Sequence, residues 1–566
     1  MTKTVLVLGG YGVFGGHLAK ALSANPEFSV IVAGRRGSAA DAFCKETLGD
    51  GSPCTPMQLD RNDIDLEAKI ASTAPFIVVD AAGPFQSYTD NPYRVALAAI
   101  RCGAHYLDLS DDAEFTGGID NLHEAASNAQ VTVLSGVSSV PALSSTAVGA
   151  LCTQLDDIHL IESAIISGNQ APRGRSVIRA ILAQVGRPLT VWRARAPTIV
   201  RGWGGLTKVT VKDHHGGVKC RRWASYIGAP DLSLFPAYFQ ARSVLFRAGL
   251  GLTLLHGGLW LMSWLVRLNL MHSLSPLAGL LKRGAGLFEG FGSDHGGMVV
   301  SVAGTTQRGD AELRAWHLYV DDGDGPYIPT IPVQIMSRKL ADGIVTPGAR
   351  ACLEEFSLAE AENTLGHLSV QTYQEAGPFP LAFEQVLGGD FRNLPQGIRD
   401  LHTIIDVQRW KGRAHVKRGQ GLMSRLTGWI VGFPPSADDI DVGVEMTRTP
   451  QGECWTRKFE GGFGTKRFRS QISAKKKGSS YQLLERFGVL EFTIGLTRQG
   501  ERLSFPVVAG TVLGIPIPSA FLPKSDTYEY MDAQNRACFH VNICLPFFGA
   551  RAGHVATYSG WLQPAD

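Results

Sequence analysis

Five glycines fall within eight positions near the N-terminus, in Gly9-Gly10-Tyr11-Gly12-Val13-Phe14-Gly15-Gly16. The Gly-x-Gly-x-x-Gly spacing of Gly10, Gly12 and Gly15 is weak evidence by itself. Here it follows an apolar, β-branched run, Thr4–Leu8, and leads into His17–Leu22, which reads as a helix. Ser29–Ala33 then reads as a second buried strand. Strand, glycine turn, helix and strand in that order form the context a dinucleotide pyrophosphate needs. Gly10 is expected to permit the tight turn, Gly12 to leave room for the pyrophosphate, and Gly15 to let helix and strand pack closely. The first helical turn, with Tyr11, Val13 and Phe14, then offers backbone N–H groups and a partial positive charge to the phosphates.

The end of the second strand separates the two nicotinamide cofactors. An NAD site usually carries Asp or Glu there, on the ribose 2′-hydroxyl. This sequence has Gly34-Arg35-Arg36. A guanidinium pairs with a 2′-phosphate and the repelling carboxylate is missing, so NADP(H) is the expected cofactor. Asp60, at the next strand end, is expected near the adenine. Ala82, Gly83, Pro84 and Phe85 follow the strand Phe76–Asp80 and are expected to border the nicotinamide. Tyr106 and Asp108, on the strand His105–Leu109, are candidate proton donors, with structural hydrogen bonding as the alternative. No Tyr is followed four residues later by Lys, so the acid pair of short-chain dehydrogenases is absent. Strand alternation puts His105 and Asp108 on opposite faces, and no other spacing suggests a metal site.

These groups need a scaffold, and the composition bounds it. The chain has 566 residues, enough for two to four domains. Charged residues make up 19%, below the usual ~25%. Nine scattered cysteines include no Cys-x-x-Cys pair, which favours reduced thiols and a cytoplasmic setting. The N-terminal apolar run is too short for a signal peptide. A net charge of +3 provides no global field for nucleic acid. Residues 1–150 are acidic, whereas 405–486 hold 16 basic and 8 acidic residues, including Lys475-Lys476-Lys477. That basic run reads as a solvated hairpin turn, or else as a contact with anionic lipid.

Five segments occur in order: Gly-Gly-x-Gly-x-x-Gly, Ala-Gly-Arg, Ala-Ala-Gly-Pro-Phe, Gly-Ala-His-Tyr-Leu-Asp-Leu-Ser-Asp and Ser-Gly-x-x-Ser-x-Pro. Over residues 1–150 the chain therefore resembles the NADP-binding domain of saccharopine-dehydrogenase-like oxidoreductases. The resemblance implies hydride transfer with NADP(H). It does not imply saccharopine as substrate.

The middle, 151–365, reads as an α+β domain. Arg173 and Arg175 precede the helix Val177–Val185 and are candidates to hold a substrate carboxylate. The stretch Ala248–Val266 is 19 residues without a formal charge, between Arg247 and Arg267. As one helix it would reach ~28 Å, close to a bilayer core. A second apolar stretch, Leu268–Leu281, ends at Lys282-Arg283. Three placements are open: a membrane-dipping or interfacial hairpin over 248–281, a buried core or dimer helix, and a span. A single span would separate strands on its two sides that look like partners in one domain.

Residues 375–566 read differently. Short alternating segments recur, among them Val442–Thr447, Cys454–Phe459, Ser480–Phe487 and Cys538–Leu545, with Gly, Pro, Asn and Asp between them. A mainly antiparallel β domain, curved or barrel-like, is expected. Gly412-Arg413-Ala414, Arg418-Gly419, Glu485-Arg486-Phe487-Gly488 and Pro516-x-Pro518 resemble a domain family of unassigned function. Arg413, Arg418 and Arg457 are expected to pair with Glu445, Glu453 and Glu485 across strands, or to bind an anionic headgroup.

The expected architecture is thus an α/β Rossmann domain, an α+β middle domain with an apolar helical segment, and a β-rich C-terminal domain. The expected activity is NADPH-dependent reduction of an apolar or membrane-derived substrate by a cytoplasmic protein, peripherally or integrally associated with membrane. Two competitors stand beside it. One is an opine-type dehydrogenase acting on a soluble imine. The other is a non-catalytic, nucleotide-sensing lipid-binding protein. Nucleic acid is not an expected partner, and a homodimer is left open.

Overall fold

The computed structural model describes residues 2–48, 54–88, 90–170, 175–288, 290–421, 424–425, 432–545 and 553–565. The chain forms two compact units. One comprises Met1–Trp192, Ala196–Gln307 and Leu313–Gly377, and the other Pro378–Asp566 with the short pieces Arg193–Arg195 and Arg308–Glu312.

The first unit opens as the sequence predicts. Strand β1 (Lys3–Leu8) leads through the glycine loop into helix α1 (Val13–Ser23) and returns as β2 (Phe28–Gly34). Strands β3 (Cys54–Gln58), β4 (Ile77–Asp80), β5 (His105–Asp108) and β6 (Thr132–Ser135) complete the series. The order across the sheet is β3-β2-β1-β4-β5-β6, and every pair is parallel. Val5, Leu6, Val7, Ile77, Val78 and Val79 are fully buried. Both faces of β1 and β4 are therefore covered, which explains runs that are apolar without alternation. A late strand, Gly348–Ala351, joins the same sheet beside β6. The helix Arg94–Arg101 has Tyr93 at its N-cap and no side-chain cap bond. Ser357 caps Leu358–Leu365, in a capping box with Glu360.

A nine-stranded mixed sheet makes up the rest of this unit. Its centre is β7 (Asp157–Ser167), paired with Val244–Leu250 on one side and with Gly296–Thr305 on the other. This corrects the apolar-helix expectation. Ala248, Gly249 and Leu250 belong to a strand, and the helix is Thr253–Arg267, 15 residues. Gly249 suits the sheet because a Cβ there would stand 2.5 Å from Ile166 and 2.6 Å from the Trp223 carbonyl. The helix spans only ~22 Å. Among the described residues no helix is long and apolar enough to cross a membrane.

The second unit is a 13-stranded antiparallel sheet. Val407–Arg418, Ala437–Thr449, Gly452–Gly461, Gly464–Lys477, Ser480–Phe487 and Leu490–Ile494 run as a meander. Lys524–Met531, Ala537–Cys544 and His554–Pro564 continue from the other edge back to Val407–Arg418. Residues 502–512 bridge the two edges. Arg502–Ser504 pairs with Lys524–Met531, and Val507–Val512 pairs with Leu490–Ile494. The sheet thereby closes into a barrel, which leaves few unpaired strand edges. Lys475, Lys476 and Lys477 lie at an exposed hairpin end before Gly478, whose φ is +62°. Of the expected ion pairs, Arg457–Glu485 forms at 3.5 Å. Arg413 instead takes Asp439 and Asp441, Arg409 takes Glu445, and Arg418 donates to the Ser424 and Arg425 carbonyls.

Candidate active site at the C-terminal edge of the parallel sheet

Open parallel sheets bind ligands beyond their strand C-termini, where the strand order reverses. Here that point lies between β1 and β4. The strands converging on it end at Leu8, Gly34, Asp80, Asp108 and Ser135.

The glycine loop follows β1. Its positive φ, +79°, falls at Gly9, so the tight turn is made there and not at Gly10. Gly10 is required by crowding, since a Cβ would meet the Val7 carbonyl at 2.8 Å. Gly15 is tighter, with the Gly9 carbonyl 2.3 Å from that position. Gly12 differs. It is exposed, and its missing Cβ would meet only the Gly9 carbonyl, at 3.1 Å. Gly12 is also the N-cap of α1 and supplies no side-chain cap, so the helix presents backbone N–H groups beyond a bare surface. These features fit an anionic pyrophosphate.

Arg35 and Arg36 are exposed just beyond β2. The Arg36 backbone N–H donates to the Tyr11 hydroxyl at 3.1 Å, and Gln58 donates to the Arg35 carbonyl at 3.3 Å. Tyr11 packs so closely on Gly34 that a Cβ there would lie 2.5 Å from the ring. The loop and the arginine turn are therefore joined through one aromatic side chain. Asp60 is half-buried in a turn, where its Oδ1 accepts the Asn62 N–H at 3.0 Å.

Beyond β4 and β5 lies a set of buried acids. Asp80 and Asp108 are register partners on adjacent strands. Burial pushes the Asp80 carboxyl up to about 6, against the Ala82 N–H and the nearby Arg61. Burial pushes Asp108 up to about 7, and the charge of Asp80 adds to the rise. Asp108 Oδ1 accepts from Ser110 N–H at 2.9 Å, the Ser135 hydroxyl at 2.9 Å and Gly136 N–H at 2.8 Å. Those bonds tie β5 to the loop after β6. The other oxygen of Asp108 is buried and lacks a hydrogen-bond partner among the described residues. Tyr106 is also buried, and burial together with Asp108 holds its phenol well above the ordinary value.

Two further residues complete the cluster, and sequence reasoning missed both. The Arg61 guanidinium stands 3.2 Å from the centroid of the Tyr88 ring. Arg61 Nη2 also donates to the Pro92 carbonyl at 3.1 Å. Burial, followed by Asp80, raises the Tyr88 phenol. No motif marks Arg61 or Tyr88, because their meeting depends on how two loops fold back. Phe85 is buried and packs on Tyr88 and Phe115, while Ala82, Gly83 and Pro84 are half-buried.

Arg173 lies outside the described residues. Arg175 opens the helix Arg175–Gln184, but its side chain is likewise outside them. Asp294, His295 and Asp321 gather with ligand atoms within 4.8 Å of one another. Their spacing in sequence hides this, because paired strands bring them together. His295 already faces both carboxylates.

The parallel sheet and its glycine loop together have the arrangement of a dinucleotide-binding domain. Residues 5–134 match the family model described as saccharopine dehydrogenase NADP binding domain. Residues 394–562 match a domain of unknown function, DUF4166. The chain thus joins a saccharopine dehydrogenase-like, NADP-binding domain to a domain of unassigned function. No curated protein matches it. Among solved structures it is similar to apo saccharopine dehydrogenase (L-Glu forming) from Saccharomyces cerevisiae, at 15% identity and TM-score 0.47, over 66% of this chain and 100% of that one. A probable dehydrogenase from Thermotoga maritima aligns at 11% identity and TM-score 0.31, over 64% and 93%. Biliverdin reductase from Synechocystis sp. PCC 6803, in complex with biliverdin and NADP+, aligns at 10% identity and TM-score 0.30, over 64% and 96%.

Proposed function

We propose that the protein is an NADPH-dependent reductase of an apolar or membrane-derived substrate. The observation that carries the cofactor half is the β2 end. Two exposed arginines stand there, beside an uncapped helix N-terminus and a glycine with no side chain. In this reading Arg35 holds the 2′-phosphate, with Arg36 beside it and Asp60 nearer the adenine. The segment Gly10–Gly15 cradles the pyrophosphate, and Ala82–Phe85 borders the nicotinamide. The cofactor, when bound, would supply the hydride. The chain's own part is to orient it and to hold a proton. Asp108, pushed up to about 7 by burial and with one oxygen lacking a hydrogen-bond partner among the described residues, is about half protonated at neutral pH beside Tyr106 and can both hold and release a proton there.

The substrate half rests on the helix Thr253–Arg267 and the segment after it. Leu254, Leu261 and Trp264 are 66%, 63% and 44% exposed, far more than a buried core helix allows. Leu268, Leu270, Leu280 and Leu287 extend the exposed apolar surface. Residues 252–288 contain Arg267, Lys282 and Arg283 and no Asp or Glu. Such a face suits the interface of an anionic bilayer, lying on it and not through it. The test is NADPH oxidation by the full chain, comparing membrane-lipid extracts with soluble 2-oxo acids plus amines. Lipid-dependent oxidation is expected. Oxidation supported only by the soluble imine-forming mixture would overturn the substrate assignment.

A further inference from the structure

The β-barrel of the second unit encloses a cavity of about 340 Å³. It follows from strand alternation. Along Ala537–Cys544, for example, Phe539, Val541 and Ile543 point inward at every second position. Phe383, from the short helix Ala382–Leu387, also lines it and stacks on the buried His402 at 3.8 Å between ring centroids. The apolar lining runs outward to Phe521, which is 44% exposed.

The polar groups in the wall are few, and their charges narrow the choice of ligand. Among the described residues, Arg457, Glu485 and Glu529 are the charged ones of the lining. Arg457 faces Glu485 at 3.5 Å and donates to Ser470 at 2.9 Å. Glu529 faces His402 at 2.6 Å. Among the described lining residues the one arginine is thus matched by a carboxylate, and the second carboxylate is held by His402. A carboxylate or phosphate headgroup would find no unpaired cation there in a water-poor space. Tyr558 is held protonated, its phenol pushed up to about 12 by burial, so it offers a neutral hydroxyl.

We propose that the C-terminal barrel binds one uncharged, lipid-like molecule, a hydrocarbon chain ending in a hydroxyl or another neutral hydrogen-bonding group. The cavity lies within the ~300–1,000 Å³ range of small-molecule sites. At ~30 Å³ per methylene, similar to one liquid water, it takes a chain of about ten carbons. The inference does not depend on hydride transfer, because the described lining residues all belong to the second unit.

The experiment is displacement of the uncharged fluorophore N-phenyl-1-naphthylamine from the full chain by 1-alkanols and by the matching alkanoates. NADPH binding is measured on the same samples, so failure of the two readings can be told apart. Each added methylene should tighten alkanol binding by about fourfold until the cavity is full. Decanol should bind at least tenfold more tightly than decanoate. Val541→Trp should abolish displaceable fluorescence while NADPH binding is unchanged. Glu485→Gln adds no volume and frees Arg457, so it should keep decanol affinity and narrow the gap to decanoate. No displaceable fluorescence in the wild type, chain-length independence, or equal binding of decanol and decanoate would each overturn the proposal. So would a folded Val541→Trp variant that binds like wild type.

Discussion

Asp231 opens the helix Asp231–Tyr238 and is fully buried. Neither of its carboxylate oxygens has a hydrogen-bond partner within normal geometry among the described residues. Burial pushes its pKa from 3.8 up to about 7, with the Ser144 and Ser163 hydroxyls pulling the other way. Between these two values the folded chain keeps a proton that the unfolded chain has released. Stability must therefore fall as pH rises, by up to ~1.4 kcal/mol per unit, and level off above about 7. An Asp231→Asn variant has no such proton to release. Relative to wild type it should gain about 3 kcal/mol between pH 5 and pH 8, an upper bound because water entry softens the penalty. Asp80 and Asp108 impose the same trend on both proteins and cancel in the difference. Urea unfolding of the two proteins at pH 5 and pH 8 measures it. An identical pH dependence, or a variant that loses ground at pH 8, would refute the reasoning.

Other substitutions separate structural from binding roles. Gly12→Val should leave thermal stability near wild type but abolish NADPH binding, whereas Gly15→Val should lower the melting temperature, because its Cβ meets the Gly9 carbonyl at 2.3 Å; calorimetry with and without NADPH distinguishes the two. Asp108→Ala strips an acceptor from three donors and should destabilise by several kcal/mol, at ~1–3 per orphaned group, while Asp108→Asn keeps an acceptor oxygen and should cost less; denaturant midpoints report both. Leu261→Glu should weaken flotation with anionic vesicles several-fold without moving the melting temperature, since Leu261 is 63% exposed.

Much of the parallel sheet was legible because its signals are local. An apolar run, a glycine turn and a helix in 30 residues leave little choice of topology. The same locality misled at Gly10, because the positive φ moved one residue earlier, to Gly9. The segment 248–266 misread for a different reason. Hydropathy does not distinguish a buried strand end from the start of a helix, and sheet partners decided the first three residues. The strands Lys524–Met531 and His554–Pro564 escaped notice because Ser, Thr, Asp and Gly interrupt their alternation. Barrel closure supplies the pairing that their composition does not advertise. Arg61 and Tyr88 were illegible because they meet only through tertiary structure. The buried pair Asp80 and Asp108 needed the strand register to be seen as a pair.

The central claim is that the β2 end selects NADPH through Arg35. Its most direct test is a calorimetric titration of NADPH and NADH into the full-length wild type and an Arg35→Glu variant. One charge-assisted phosphate contact is worth ~1.5–3 kcal/mol, or roughly 10–100-fold in affinity. Wild type should prefer NADPH by at least that factor. Arg35→Glu should lose the preference and bind NADH no worse than wild type does. Equal binding of the two cofactors by wild type, or an unchanged NADPH preference in the variant, would contradict the account.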